Sequence, residues 1–310
     1  MNILVTFDQT FLQHAVVMIR SLIYNHPDLA FTIYVYTDDA SKTDSKLSSE
    51  FANDDVKFKY IDFDHSKYPP LKTKFHYGEQ YYKIIYLRLN IGEILSDLDR
   101  ILLLDTDLVV DGDLCEFYNQ SLADNELLAA IAEVRPSNFR KFGIEPEHRN
   151  SKTNFNCGAS LIDLKKWREW GVSGQSMEHI LKYEEILGAP TQDTLNPLFY
   201  NNWKICSPKY NLHHYYLLYP FQMEDLPYSQ RTLKDAIENP VVIHYSGSMR
   251  PWDYLDINPL SKRYWHYLRM TTYSGYTVND KSLKNFLLKT FRKLKVARSR
   301  RNLEKKLFAQ

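Results

Sequence analysis

Strand-like and helix-like segments alternate over the first third of the chain, and this alternation restricts the fold more than any other feature. The strand-like runs are short and rich in β-branched and aromatic residues, whereas apolar residues recur at a helical period in the segments between them. The predicted strands are residues 2–8, 31–37 and 57–63, and the predicted helices are residues 11–24, 41–51 and 80–95. Such alternation predicts an α/β fold with a mixed, mostly parallel sheet.

The next apolar run, residues 100–110, indicates a buried strand that contains two carboxylates. In an extended chain Asp105 and Asp107 point to one face and Thr106 points to the other. A buried carboxylate is costly in isolation, but a divalent cation with oxygen ligands offsets that cost. Because ligands of open α/β sheets bind beyond the carboxyl ends of strands, the pair indicates a metal site. The alternatives are a turn or helix cap at Asp105 and a solvated Asp107.

A second polar cluster follows the strand-like residues 241–243. His244 can complete the coordination of a transition metal, and mixed oxygen and nitrogen ligands suit Mn²⁺. Gly247 permits a close backbone approach to a phosphate, and Arg250 can pair with that phosphate. The alternative is a structural histidine followed by an ordinary turn.

The rest of the chain is less regular but contains further elements. The predicted strands are residues 127–133, 159–164 and 241–245, and the predicted helices are residues 176–187 and 192–200. No internal repeat or Pro/Gly-rich linker precedes about residue 255. We therefore expect one domain over residues 1–255 and a C-terminal appendage over residues 256–310.

Cysteine usage and the N-terminus predict the compartment. Cys115, Cys157 and Cys206 are far apart, which fits free thiols in a reducing environment and excludes a cysteine-based zinc cluster. Met1 leads directly into a predicted strand without a basic or apolar leader, and no apolar stretch is long enough to span a bilayer. We expect a cytoplasmic protein.

Charge is distributed unevenly along the chain. Residues 281–310 hold eleven Lys/Arg against one Glu, whereas residues 1–280 hold twenty-eight Lys/Arg against thirty-seven Asp/Glu. On a helix, the apolar residues from Leu283 to Leu294 gather on one side, a basic amphipathic design that favours an anionic membrane surface. The alternative is a helix packed on the body. We expect no nucleic-acid partner because no base-reading motif accompanies the charge.

Residues just before this basic helix are expected to reach the same membrane interface. They are mostly aromatic: Tyr264, Trp265, Tyr267, Leu268 and Tyr273.

Five segments, in order, resemble the motifs of the family 8 glycosyltransferases. They are the first strand at residues 2–8, the Tyr-x-Arg-Leu helix at 86–95, the Leu-Asp-Thr-Asp motif ending at 107, the Phe-Asn-Cys-Gly strand at 155–167 and the His-to-Trp segment at 244–252. The resemblance covers about residues 1–255. It implies a GT-A fold, which is a Rossmann-like nucleotide-sugar-binding domain, followed by a helical basic tail.

The resemblance also implies a metal–diphosphate site. Asp105, Asp107 and His244 would hold Mn²⁺ or Mg²⁺, and Gly247 and Arg250 would contact the phosphates. Arginine stands where the family has lysine, which keeps the charge but changes reach and geometry.

For the donor nucleotide, the resemblance implies that Asp8 hydrogen-bonds the uracil in a pocket lined by Thr6 and Phe7. Arg88 would reach the phosphate or sugar of the donor. Two structural alternatives remain: Asp8 caps the helix at Thr10, or Arg88 pairs with Glu93 or Asp97 on a solvated face.

For the donor sugar, the resemblance implies that Asn156 faces the sugar and that Gln192 lies near the anomeric carbon. Thr106 is expected to be a further donor-binding residue. Thr191 replaces an aspartate of the family that contacts the sugar, so the choice of sugar cannot be copied from one member. The alternative for Gln192 is to cap or begin its own helix.

The implied reaction moves galactose or glucose, with retention of configuration, from a UDP-sugar to a hydroxyl of a glycan: a surface polysaccharide, a lipopolysaccharide or a glycoprotein glycan. The amide of Gln192 is a poor nucleophile, which favours attack from the face of the leaving group. The rivals are a catalytically idle sugar-nucleotide-binding or scaffold protein and a self-glucosylating or inverting transferase. With the basic tail, we expect peripheral association with the inner face of the membrane.

Overall fold

Two β-sheets and the helices around them form the body of the protein in a computed structural model. The structure describes residues 1–73, 78–134, 139–145, 154–213, 216, 226–247, 250–278 and 282–308. The strands are β1 (Asn2–Thr6), β2 (Phe31–Tyr36), β3 (Val56–Tyr60), β4 (Arg100–Leu104), β5 (Leu108–Val110), β6 (Leu128–Ala132), β7 (Phe155–Asp163), β8 (Trp203–Ile205), β9 (Leu212–His213) and β10 (Val242–His244). The helices are α1 (Leu12–Tyr24), α2 (Ala40–Glu50), α3 (Glu79–Leu89), α4 (Ile91–Ile94), α5 (Cys115–Tyr118), α6 (Leu164–Glu169), α7 (Val172–Tyr183), α8 (Pro190–Leu198), α9 (Gln230–Glu238), α10 (Ser261–Leu268) and α11 (Leu283–Phe308).

The larger sheet has the strand order β3-β2-β1-β4-β7-β6-β8. Its strands β3, β2, β1 and β4 are parallel to one another, and β6 is parallel to β8. Strand β7 runs antiparallel to both of its neighbours. The predicted α/β class with a mixed, mostly parallel sheet is therefore confirmed.

Side chains of β1 point alternately into two cores on opposite faces of this sheet. Ile3 and Val5 pack in the cluster that contains Ala15 and Met18 of α1. Leu4 packs in the cluster that contains much of α3, α6 and α7. Because both faces are covered, the three central residues of the strand are all apolar and buried.

The smaller sheet corrects the prediction of one strand over residues 100–110. Its order is β5-β10-β9, with β10 antiparallel to β5 and parallel to β9. Strand β4 ends at Leu104 and belongs to the larger sheet, whereas β5 begins at Leu108. The chain changes sheets across Asp105, Thr106 and Asp107, because β4 and β5 pair with different partners.

The predicted helix over residues 80–95 is also divided. Its structure is α3 followed by α4, and Asn90 lies between the two helices. The side-chain amide of Asn90 donates to the carbonyl oxygen of Tyr86 at 2.7 Å, which satisfies an acceptor at the end of α3.

Three residues expected at a membrane interface are instead buried in the body, so that prediction is wrong for them. Tyr264, Tyr267 and Leu268 of α10 are at most 2% exposed. They pack with Val17 of α1 and Ile243 of β10 in a third apolar cluster. The aromatic composition of α10 therefore serves packing against the smaller sheet. The division of the chain at residue 255 stays a prediction.

The C-terminal helix α11 leaves several apolar side chains in solvent. Leu287, Phe291 and Leu294 are each at least 60% exposed, and their spacing places them on one face of the helix. In the part of the chain that the structure describes, no helix is both long enough and apolar enough to cross a membrane.

Candidate active site

A cavity of about 240 Å³ opens where β1 and β4 end. Both strands run in the same direction, so the residues that follow them reach the same edge of the sheet. Helix α3 forms a further wall. Eight predicted site residues line the cavity: Thr6, Phe7, Asp8, Arg88, Asp105, Thr106, Asp107 and Arg250.

The three predicted metal ligands meet beside this cavity. One ligand atom from each of Asp105, Asp107 and His244 lies within 4.8 Å of the others. Nε2 of His244 is 3.1 Å from Oδ1 of Asp107 and 4.0 Å from Oδ2 of Asp105. Two carboxylate oxygens and one imidazole nitrogen fit Mn²⁺ or Mg²⁺, and three protein ligands leave positions for phosphate oxygens and water.

Backbone hydrogen bonds hold the two aspartates at the junction between the sheets. The amide of Asp105 donates to the carbonyl oxygen of Gly158 at 2.8 Å, which attaches it to β7 of the larger sheet. The carbonyl oxygen of Asp107 accepts from the amide of Tyr245 at 2.7 Å, just after β10 of the smaller sheet. The backbone of the two aspartates is thus attached to the larger sheet on one side and to the smaller sheet on the other.

Arg88 connects the first strand to this junction. Its Nε and Nη2 donate to Oγ1 of Thr6 at 2.9 and 2.7 Å, and Nη2 also donates to Oδ1 of Asp105 at 2.5 Å. Burial opposes its charge, but the carboxylate of Asp105 outweighs burial and raises the pKa of Arg88. Arg88 is therefore not paired with Glu93, which was one alternative; the carboxylate of Glu93 accepts from the hydroxyl of Ser173 instead.

Asp107 and His244 stabilise each other's charged form. Burial by itself raises the pKa of Asp107, but the charge and hydrogen bond of His244, together with Arg250, hold that pKa below its ordinary value. Burial by itself lowers the pKa of His244, but Asp107 and Asp105 outweigh it and raise the pKa. Two carboxylates facing one imidazole favour a further cation at this position.

Arg250 returns to the site after a turn that requires glycine. Gly247 has φ 84°, in the left-handed region that other residues rarely adopt. Residues 248 and 249 lie outside the described residues. Nη2 of Arg250 is 3.7 Å from Oδ2 of Asp107, and its guanidinium lies over the rings of Phe11 and Trp252. Cation–π contacts with these rings hold the guanidinium beside the cavity.

Asp8 has the structural role that was the alternative for it. Its Oδ1 accepts from the backbone amide of Thr10 at 2.9 Å and from the hydroxyl of Thr10. Asp8 also lines the cavity. Asp8 therefore caps the turn at Thr10 and also faces the cavity. The predicted uracil contact stays a prediction.

Helix α8 carries Gln192 and is fastened to β7. The side chain of Asn196 accepts from the amide of Phe155 at 2.7 Å and donates to its carbonyl oxygen at 3.0 Å. Oε1 of Gln192 accepts from the amide of Cys157 at 3.4 Å. Gln192 lies in the first turn of α8, and its neighbour Thr191 lines the cavity. Its predicted position near the reacting carbon stays a prediction.

Asn156 is held by the protein on three sides. Its Oδ1 accepts from the amide of Gly158 and from Nδ2 of Asn211, both at 2.9 Å. Its Nδ2 donates to Oε2 of Glu133 at 2.8 Å. The predicted contact of Asn156 with the donor sugar stays a prediction.

Sequence reasoning assigned no role to Gly158 or Asn211, although both touch His244. A Cβ atom on Gly158 would lie 2.3 Å from Cε1 of His244, and Oδ1 of Asn211 lies 2.9 Å from Nδ1 of His244. Gly158 is the glycine of the Phe-Asn-Cys-Gly motif, which could have identified it. Asn211 has no comparable sequence signal.

A second group of potential ligands, His26, Asp113 and Cys115, has a different explanation. Nδ1 of His26 donates to the carbonyl oxygen of Leu22 at 2.8 Å, and Nε2 accepts from the amide of Leu114 at 2.8 Å. Both ring nitrogens are therefore occupied by backbone groups. This cluster is a structural contact and not a metal site.

Comparisons with known proteins relate this chain to one family. The family model described as "Glycosyl transferase family 8" matches residues 2–256. General stress protein A of Bacillus subtilis is 22% identical over 281 residues, which cover 88% of this chain and 95% of that protein. Lipopolysaccharide 1,3-galactosyltransferase of Salmonella typhimurium is 28% identical over 275 residues, which cover 84% and 75% of the two chains.

Solved structures show the same fold. A crystal structure of the galactosyltransferase LgtC with donor and acceptor sugar analogues matches with a TM-score of 0.72 and 23% identity, over 92% of this chain and 100% of that chain. A second LgtC structure, an active-site mutant in which glutamine is replaced by glutamate, also matches with a TM-score of 0.72, at 22% identity over 93% of this chain and 100% of that chain.

Proposed function

The chain belongs to glycosyl transferase family 8 and has the GT-A fold, and from this premise we propose that it is a retaining enzyme that transfers galactose or glucose from a UDP-sugar to a glycan hydroxyl. One observation carries the proposal. Asp105, Asp107 and His244 bring their ligand atoms within 4.8 Å of one another at a cavity that also contains Arg88 and Arg250. Carboxylates suit a divalent cation, and arginines beside them suit the phosphates of a diphosphate bound to that cation.

Asp105, Asp107 and His244 would hold Mn²⁺ or Mg²⁺. When bound, the cation would supply positive charge that stabilises the diphosphate as it leaves. Arg250 stands 3.7 Å from Asp107, so a modest side-chain movement can transfer its guanidinium from that carboxylate to a phosphate. Arginine can make two parallel hydrogen bonds to phosphate, which the family's lysine cannot.

At the other end of the donor, Thr6, Phe7 and Asp8 form the proposed uracil pocket at the end of β1. Phe7 is 2% exposed, so it supplies a fixed apolar wall rather than a mobile contact. Asp8 would accept a hydrogen bond from the base. Arg88, which already binds Thr6 and Asp105, would link the uracil and diphosphate ends of the pocket.

Given retention of configuration, the poor nucleophiles near the proposed reacting carbon argue against a covalent glycosyl-enzyme intermediate. The amide of Gln192 is neutral and accepts from the backbone of Cys157. Burial raises the pKa of the Cys157 thiol, so it stays protonated. Oδ2 of Asp193 accepts from the amides of Gly188 and Ala189. We therefore favour attack from the face of the leaving group, with the leaving phosphate taking the proton of the acceptor hydroxyl.

The position of Gln192 has one further support. The matched LgtC mutant is described as an active-site mutant and alters a glutamine. Gln192 lies in the first turn of α8, and α8 is fastened to β7, the strand whose Gly158 also binds the backbone of Asp105; this position suits a residue close to the donor sugar.

The proposed acceptor is a lipid-linked surface glycan such as lipopolysaccharide. The Salmonella typhimurium relative is named for that acceptor class. The exposed apolar face of α11, within a strongly basic segment, suits an anionic membrane surface, so we place the enzyme at the inner face of the membrane.

The proposal is tested by measuring UDP release from UDP-galactose and UDP-glucose with Mn²⁺, with and without glycan acceptors. Asp107→Asn should lower the rate about 100-fold or more, because it removes a charged ligand beside the developing negative charge. A chelator should abolish the wild-type reaction. Proton NMR should show that the product keeps the anomeric configuration of the donor.

Asp113→Asn is the matched control, because it removes a carboxylate from the structural cluster around His26 and should leave the rate unchanged. Full activity under chelator would contradict the metal assignment, and an inverted product would contradict retention. Failure to release UDP from any UDP-hexose would favour the idle sugar-nucleotide-binding alternative.

A further inference from the structure

The hydrogen-bond network behind His244 determines which of its ring nitrogens carries the proton. The network begins at the backbone amide of Gly158, which donates to Oδ1 of Asn156 at 2.9 Å. A backbone amide can only donate, so this atom of Asn156 must be the oxygen. On its other side, Nδ2 of Asn156 faces the carboxylate of Glu133 at 2.8 Å, which can accept. The orientation of the Asn156 amide is therefore fixed at both ends.

The next step fixes Asn211. Its side chain contacts Oδ1 of Asn156 at 2.9 Å, and an amide oxygen can only accept, so the contacting atom of Asn211 must be Nδ2. The other terminal atom, Oδ1, then faces Nδ1 of His244 at 2.9 Å. Because that oxygen also can only accept, Nδ1 of His244 must carry a hydrogen.

A proton on Nδ1 leaves Nε2 as the lone-pair nitrogen when the imidazole is neutral. Nε2 is the atom that faces Asp107 at 3.1 Å and Asp105 at 4.0 Å. A metal-ligating histidine needs its lone pair on the side of the metal and a hydrogen-bond acceptor on the other ring nitrogen. The network provides this arrangement.

Gly158 adds a steric condition. A Cβ atom at this position would lie 2.3 Å from Cε1 and 2.8 Å from Nδ1 of His244. Only glycine allows the imidazole to approach β7 closely enough to reach Asn211. The same residue accepts from the amide of Asp105 at 2.8 Å, so it contacts the backbone of one proposed ligand and the ring of another.

The members of this network are shielded from water. Asn156, Asn211 and His244 are 7%, 0% and 3% exposed. Buried polar groups bind strongly to their partners because no water competes with them. An alternative orientation of either amide would place two acceptors or two donors in contact.

We propose that Asn211 and Asn156 are positioning residues that hold His244 in its Nδ1–H tautomer and so present Nε2 to a divalent cation between Asp105 and Asp107. The inference rests on the metal ligation of the proposed function. The prediction about the tautomer concerns a side chain of the protein itself, and it is tested by spectroscopy and binding without measuring turnover.

The first test is a long-range ¹H–¹⁵N correlation spectrum of protein labelled with ¹⁵N-histidine and loaded with Mg²⁺ and UDP, because without a cation the carboxylate of Asp107, 3.1 Å from Nε2, would itself accept a hydrogen from that nitrogen. The ring signals of His244 are assigned from their loss in His244→Gln. The expected wild-type result is a protonated Nδ1 and an unprotonated Nε2. An unprotonated Nδ1 in the wild type would overturn the proposal.

The second test measures binding of Mn²⁺ in the presence of UDP, from the EPR signal of the free ion. Asn211→Leu keeps the side chain's approximate size but removes the acceptor, and it should weaken binding about 10- to 100-fold and populate the Nε2–H tautomer. Asn211→Asp retains an acceptor toward Nδ1 and should keep the wild-type tautomer. If Asn211→Leu does not fold, Asn211→Ala reports the same two quantities.

Asn25→Leu is the matched control. Nδ2 of Asn25 donates to Ser21, Val110 and Tyr267, so this variant also loses the hydrogen bonds of a mostly buried asparagine. It should lower the melting temperature without changing Mn²⁺ binding. Unchanged Mn²⁺ binding and tautomer in Asn211→Leu would contradict the positioning role. Absence of Mn²⁺ binding in the wild type, with Nδ1 still protonated, would instead contradict the proposed metal site.

Discussion

At the scale of single residues, Arg88 is the side chain that joins the two ends of the cavity. Its guanidinium binds Thr6 at the end of β1 and Asp105 at the end of β4. The planar guanidinium holds its donors to both partners in a fixed geometry, whereas the three donors of an ammonium group rotate. The geometry of the cavity therefore depends on arginine and not only on positive charge.

Arg88→Lys should lower kcat/KM for UDP-sugar about 10- to 100-fold, because lysine keeps the charge but loses the second donor to Thr6, Nε, and the fixed planar geometry of the guanidinium. The melting temperature should change little. Steady-state UDP release and thermal unfolding measure the two effects. Arg20→Lys is the control, since Arg20 similarly bridges Asp54 and the carbonyl oxygen of Glu50, away from the cavity. Equal losses in both variants would point to stability and not to the site.

His14 is a residue whose burial makes the fold sensitive to acid. It stacks on Trp252 with ring centroids 3.7 Å apart and lies 2.7 Å from the hydroxyl of Tyr264. Burial, and then the charge of Arg250, lower the pKa of His14 to about 4. The unfolded chain takes up the proton near pH 6.5, so stability present above that pH is lost as the pH falls toward 4.

His14→Gln should reduce the loss of unfolding free energy between pH 7 and pH 4.5 by about 2–3 kcal/mol, because glutamine does not titrate. Urea unfolding at both pH values measures the difference. Burial also lowers the pKa of His179 to about 4, so His179→Gln should remove a similar share and the double variant should remove both. An undiminished pH dependence in the double variant would refute this explanation.

At the scale of elements, the short helix α4 depends on a close approach between Gly92 and Trp167. A Cβ atom on Gly92 would lie 2.3 Å from Cδ1 of the indole, which is fully buried. The indole nitrogen of Trp167 also donates to Ser173 at 3.0 Å, so the ring cannot easily turn away. The glycine thus determines how α4 packs on α6.

Gly92→Ala should lower the unfolding free energy by about 2–3 kcal/mol, since the added methyl group overlaps a ring that is held in place. Chemical denaturation measures the loss. Gly174→Ala in α7 is the control, because a Cβ atom there meets nothing within 4 Å. It should be neutral or stabilising by up to about 1 kcal/mol, since alanine favours helix over glycine. Similar destabilisation of both variants would argue against the steric explanation.

At the scale of the whole molecule, an acidic body carries a basic helix with an exposed apolar face. Residues 281–310 have eleven Lys/Arg and one Glu, and Leu287, Phe291 and Leu294 of α11 are largely exposed. On the body, Nζ of Lys289 lies 5.1 Å from the ring centroid of Tyr254. The site residues lie elsewhere, at the ends of strands, in the segments that follow them and in α3 and α8, so removal of the tail is expected to leave catalysis unchanged.

Removal of residues 282–310 should lower sedimentation with vesicles containing anionic lipid at least several-fold, while UDP hydrolysis stays near the wild-type rate. Added salt should weaken binding of the full chain, because the attraction of basic residues to anionic lipid is screened.

Changing Leu287, Phe291 and Leu294 of α11 to Ser should weaken vesicle binding with the charge unchanged. Leu181→Ser with Ile186→Ser, which alters exposed apolar residues of the body, is the control. Undiminished vesicle binding after truncation would refute the membrane role of the tail.

The sequence by itself determined the fold class and most of the proposed site. Periodicity and short motifs are local properties, so the alternating strands and helices predicted the mostly parallel sheet. The carboxylates of Asp105 and Asp107 and the downstream His244 could be identified in the same way. The composition of α10 was misleading, because a helix rich in aromatic residues can pack in a core or at an interface with the same local pattern.

Only the tertiary structure decided how those residues are arranged. Leu104 and Leu108 lie in one apolar run, but they pair with strands from distant parts of the chain and so enter different sheets. The contact of Asn211 with His244, and the space that Gly158 leaves for that ring, join segments far apart in sequence. Such contacts arise from the packing of whole elements, and no local pattern in the sequence records them.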